Sequence, residues 1–116
     1  MAIQSHYLLC VSMDVEPEYE DLFNEVYDSE HIPQLLKVPG VHAVSRVKGE
    51  AFNFAMGGQV KPVDAPTPRY VAMYELDNPE IVASDEWAKA VELGRWPGEV
   101  RPHTHNRSHA MYKVLK

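Results

Sequence analysis

Between Pro17 and Pro33 the apolar residues Tyr19, Leu22, Phe23, Val26 and Tyr27 recur at the spacing of one buried helical face. Pro17 suits the first helical position, and Glu18, Glu20 and Asp21 favour the positive end of the helix dipole. Pro33 biases Ile32 away from the helical region, so the helix is expected to end near His31. His31 stands four residues after Tyr27 on the same side, with Asp28 three residues before it. An ionisable ring therefore continues a core-facing stripe.

The rest of the chain alternates between the period of a strand and that of a helix. His6 to Met13 is rich in strand formers, with Tyr7, Leu9, Val11 and Met13 on one face and His6, Leu8, Cys10 and Ser12 on the other. Val41 to Lys48 alternates as a second strand, and Arg69 to Leu76 forms a third. Between them, residues 49–68 carry Gly57-Gly58, Pro62, Pro66 and Pro68 and read as a long loop, a lid or a partner contact, with Phe52-Asn53-Phe54 extending the second strand or turning inward. Asn78-Pro79 opens a second helix that restarts at Ser84 and ends by Gly94 and Pro97-Gly98. His105 to Leu115 is the last strand. The order β-α-β-β-α-β, with one apolar side on each helix, predicts an α+β, ferredoxin-like domain over residues 1–116: a four-stranded antiparallel sheet with both helices on one face. The opposite sheet face then needs a cover, most simply a second copy of the chain.

Composition narrows the function classes. The 116 residues are 45% hydrophobic and 24% charged, in the range of a globular protein. A formal charge of −6 argues against a broad phosphate-binding surface and hence against nucleic acid. No apolar run approaches the ~20 residues that span a bilayer, and no signal peptide is recognisable at the N-terminus. The one cysteine, Cys10, sits in a strand as a small hydrophobe and suits a reducing cytoplasm.

The pattern Phe23-x-x-x-Tyr27-x-x-x-His31-x-Pro33, followed by Leu35-Leu36 and Pro39-Gly40-Val41, resembles the dimeric α+β barrel superfamily, and most of all its EthD-like branch. The resemblance implies two sheets paired face to face in a homodimer, with a pocket between sheet and helices or within the barrel. It also implies a choice of activities. Several members are cofactor-free cyclases, decarboxylases, dehydratases or isomerases of small aromatic, polyketide or lactone compounds; others are monooxygenases, haem-degrading enzymes or proteins of no known activity. The long 49–68 segment and the histidine-rich last strand depart from the commonest pattern.

Within that frame His31 is the candidate acid/base, since imidazole both accepts and donates a proton near neutral pH. Asp28 would fix its tautomer and hold its charged form. The alternative is a His31 that only caps the helix. Tyr27, one turn earlier, would polarise a carbonyl or stabilise an enolate, or else serve as an aromatic core residue. By strict alternation His103, His105, Arg107 and His109 share one face of the last strand. They could bind a metal, but the pattern lacks a third carboxylate ligand, and none is assigned. Arg107, His105 and His109 are read instead as contacts for an anionic substrate, or as solvated edge residues. Arg46 is a further anion contact, Trp96 an aromatic wall, Trp87 a packing residue, and Glu75 a carboxylate of undetermined face. No phosphate loop and no G-x-S-x-G nucleophile motif occurs. The function expected is a cofactor-independent lyase, isomerase or cyclase working by acid-base catalysis on a small-molecule substrate. Alternatives are a non-catalytic ligand-binding or stress-related dimer and, further off, a monooxygenase or haem-degrading enzyme.

Overall fold

A computed structural model describes residues 3–116. Four strands, β1 (Tyr7–Val15), β2 (Val41–Lys48), β5 (Tyr70–Leu76) and β6 (Thr104–Lys113), form an antiparallel sheet in the order β2-β5-β1-β6. Alternation decides what each strand buries. Leu9, Val11 and Met13 of β1 and Tyr70, Ala72, Tyr74 and Leu76 of β5 are buried beneath the helices, while Leu8, Cys10, Val71 and Met73 point to the other face and are half-buried. The helical layer consists of α1 (Glu20–Val26), a π-helical turn (Tyr27–His31), α2 (Ile32–Leu35) and α3 (Asp85–Ala90). Phe23, Val26 and Leu35 lock it to the sheet. This is the α+β, ferredoxin-like arrangement that the element order predicts. Among the described residues no helix is long and apolar enough to cross a membrane.

Three local features differ from the sequence reading. The first helix does not stop at His31. It widens into the π-helical turn, where Ile32 N–H bonds the Tyr27 carbonyl, and then continues to Leu35. Pro33 is tolerated because it falls in the first turn of α2, where its missing N–H has no intrahelical bond to make. Next, residues 49–68 are not a bare loop: β3 (Phe52–Met56) and β4 (Gln59–Val63) pair as a hairpin. Gly57 and Gly58, at φ 63° and 78°, supply the two positive-φ positions of its tight turn. Phe52, Phe54, Met56 and Val60 on this arm are exposed.

The third difference lies in β6. Asn106 takes φ 56°, and the register with β1 slips by one residue between Ser12 and Asp14. Such a bulge inverts the alternation that follows it. His109 faces the helices opposite Val11, and Arg107 shares that side, but His105 lies opposite Asp14 on the far face. His103 precedes the strand altogether; its ring stacks on Tyr19 at 3.5 Å and its Nδ1 bonds Glu16 at 2.9 Å. The row of four expected on one face is thereby reduced to Arg107 and His109. Among the described residues no group of three metal-ligating side chains gathers. Glu75 falls on the face away from the helices, half-buried, beside a shallow depression shared with His42 and Asp77.

Candidate functional site

A cavity of about 530 Å³ opens between the sheet and the helices, a size that accommodates a small organic ligand. Leu9, Val11 and Met13 form its sheet wall; Leu35, Val82 and Val91 form part of its helical wall. Its polar groups fall into two sets. Tyr27, His31 and Tyr74 are deeply buried with Arg101 half-buried, whereas Arg107 and His109 are exposed at the edge strand.

Two π-helical turns build the buried end. The first presents Tyr27 and His31; the second, Trp96–Val100, presents Trp96, and Arg101 N–H closes it on the Trp96 carbonyl. A π-turn rotates the residues that follow it relative to an α-helix, a device common at functional sites. Here it keeps Tyr27 and His31 on one side, their ring centroids 5.0 Å apart and edge to face. The indole of Trp96 stacks on His31 at 4.4 Å with 23° between planes, and meets Tyr27 edge-on at 5.0 Å. Trp87 of α3 closes the other side against Tyr74.

The Tyr27 and Tyr74 hydroxyls lie 2.6 Å apart, buried, so one donates to the other and a single phenolic proton is left over for a ligand. Burial pushes Tyr27 up to about 12, against the opposing bond from Tyr74, and raises Tyr74 well above its ordinary value. Both phenols are neutral donors at physiological pH.

His31 is only 5% exposed, and its Nδ1 is buried with no hydrogen-bond partner. Burial, reinforced by the nearby Arg101 charge, pulls the ring down from 6.5 to about 4. The expected Asp28–His31 pair does not form. Asp28 points outward and accepts from Arg46 at 2.9 Å; the Glu92 charge offsets the burial only in small part, and the ring stays neutral. Linkage gives this a sign. A histidine with a depressed folded pKa contributes its full stability above pH 6.5 and loses it as pH falls from 6.5 towards 4. Urea denaturation is expected to show that stability between pH 7 and pH 4.5 drops about 2 kcal/mol more in the wild type than in His31→Gln. Equal pH slopes in the two proteins would contradict a buried neutral ring.

The remaining expected contacts divide. Trp96, Arg107 and His109 line the cavity; Arg46 and His105 do not. Arg46 is held by Asp28 and by Asn24 at 2.7 Å, over the rings of Phe23 and Tyr27, so its charge is spent on packing α1 against β2. Two cavity residues escaped the sequence reading. Tyr74 was legible only as a strand residue on the buried period of β5, although a buried tyrosine hydroxyl demands a partner. Arg101 carried no local signal; its guanidinium is braced by Glu92 at 2.8 Å and by the Val91 carbonyl.

No family model matches the chain, and no curated protein matches it significantly. Among solved structures, it is similar to the crystal structure of an ethyl tert-butyl ether D (EthD) family protein from Bacillus halodurans C-125. The two share 13% identity, and the alignment covers 94% of this chain and 99% of the other at a TM-score of 0.57. At that identity the likeness bears on the fold alone, the α+β arrangement of a four-stranded antiparallel sheet with its helices on one face.

Proposed function

We propose that the cavity is the active site of an acid-base lyase, isomerase or cyclase acting on a small aromatic, polyketide-like or lactone carbonyl compound. One observation carries this reading: a neutral histidine with an orphaned ring nitrogen lies beside a buried pair of neutral phenols in a largely apolar cavity. Neutral His31 accepts a proton from a carbon next to the carbonyl. The C–H electron pair becomes the enolate double bond, and the spare phenolic proton of the Tyr27–Tyr74 pair hydrogen-bonds the oxyanion. Return of the proton to a different carbon completes an isomerisation; loss of a β-hydroxyl as water completes a dehydration. A ring pulled down to about 4 is a weak base, yet the enolate formed beside it favours imidazolium and restores part of that basicity.

The test is NMR of a panel of such carbonyl compounds in heavy water with catalytic protein. Deuterium entry next to the carbonyl, or conversion, is expected for at least one of them. The low basicity of His31 itself favours a second reading, a ligand-binding protein without turnover. Tight binding of compounds recovered without deuterium selects that alternative.

The homodimer belongs to the same proposal. The sheet face away from the helices carries Leu8, Cys10, Val71 and Met73, flanked by exposed Val47 and Tyr112. A lone two-stranded hairpin is marginal in water, and the Phe52–Met56 arm gains stability by lying on a second copy. Light scattering should report twice the 13.2 kDa chain mass; a monomer at micromolar concentration would contradict this pairing.

A further inference from the structure

The chain holds five arginines, and four of them face carboxylates. Arg46 bonds Asp28, Arg69 approaches Glu50, Arg95 holds Glu25 and Glu30, and Arg101 holds Glu92. Arg107 has no carboxylate partner among the described residues, although the chain carries 17 acidic side chains and a net charge of −6. In so acidic a protein an arginine left unpaired at the mouth of an apolar cavity is out of keeping with its surroundings. The Asn106 bulge puts it there: the slip in register sends His105 to the far face and leaves Arg107 and His109 together on the cavity side.

We infer that the ligand of this cavity has two polar ends: a carbonyl that reaches the Tyr27–Tyr74 pair, and a carboxylate held at the mouth by Arg107 with His109 beside it. A flat apolar body between the two ends lies against the indoles of Trp87 and Trp96. The inference rests on the reading of the cavity as the substrate site and adds the substrate's charge and orientation. The planar guanidinium suits a carboxylate because it offers two parallel N–H donors to its two oxygens. Among the described residues the buried end offers no free cation. Arg101 is already taken up by Glu92, and His31 is neutral, so an anion gains most at the rim. Water also solvates the carboxylate there, which spares the cost of burying its charge among the aromatic rings. Binding then aligns the molecule, carbonyl inward, with the carbon next to that carbonyl set against His31.

The probe pair is para-acetylbenzoate and its methyl ester, which present the same ketone and ring with and without the charge. Isothermal titration calorimetry on the full chain is expected to show the carboxylate binding about tenfold or more tighter than the ester. Arg107→Gln should remove that preference by weakening the carboxylate far more than the ester, while Arg107→Lys, which keeps the charge but loses the fork, should fall between. Arg107 is exposed, so these variants are expected to keep the wild-type circular dichroism. Equal binding of acid and ester, or an unaltered preference in Arg107→Gln, overturns the inference while leaving the cavity's role intact. Binding of neither probe overturns both.

Discussion

If the proposed proton transfer holds, replacing His31 with glutamine is expected to lower turnover by about 10²- to 10⁴-fold, the usual contribution of a positioned general base. The expectation follows from what the ring lacks as much as from where it sits. No carboxylate orients it, its Nδ1 is orphaned, and its burial keeps it neutral through the physiological range. A ring that served only to fill space would leave kcat untouched on replacement by an amide of similar length. Because the amide side chain of the His31→Gln variant lacks a proton-accepting nitrogen, the loss should fall mainly on kcat rather than on KM. The same variant becomes less pH-sensitive in stability, so the two measurements separate a structural effect of the substitution from a chemical one.

Trp96→Ala is the largest stability change expected, about 3–5 kcal/mol, with the lower end favoured because one side of the indole faces the open cavity. Trp96 is 4% exposed and touches Phe23, Tyr27 and His31 through ring contacts of 4.4 to 6.1 Å. Its removal leaves the imidazole without its stacking partner and joins the space it filled to the cavity. Trp96→Phe keeps part of the stack and should recover more than half of the loss. Equilibrium denaturation measures both. A loss below about 1 kcal/mol for the alanine variant, the size of an ordinary surface substitution, would mean that the second π-helical turn does not close the site.

These consequences show which parts of the molecule were legible beforehand. Local periodicity was. The alternation of Tyr7 to Met13 and the stripe from Tyr19 to Tyr27 state which side each element buries, and from that the layer order follows. Gly57-Gly58 read only as part of a long loop, because Pro62 in the returning strand obscured the hairpin; that proline is tolerated because β4 is an edge.

Features that depend on distant partners or on one-residue irregularities were not legible. Pro33 reads as a stop, since a π-helical turn that resets the hydrogen-bonding frame leaves no composition signal. The bulge at Asn106 occurs without a glycine and reverses the face of every residue before it in β6, which separates His105 from Arg107 and His109. Tyr74 meets Tyr27 across 47 residues of chain, so only the folded sheet joins them. Spacing along an ideal helix sets Asp28 beside His31. Widening of the turn and the pull of Arg46 carry it outward.

The opening stripe therefore keeps its role in building the site, and the polar partner moves from Asp28 to the tyrosine pair. The claim that His31 transfers a proton in this cavity is tested most directly by deuterium entry into the carbonyl compound that proves active. Wild type and His31→Gln should be compared by NMR at saturating concentration and pH 7. Measurable exchange is expected in the wild type, with a rate at least about 10²-fold lower in the variant. Exchange at the same rate in both would contradict that claim.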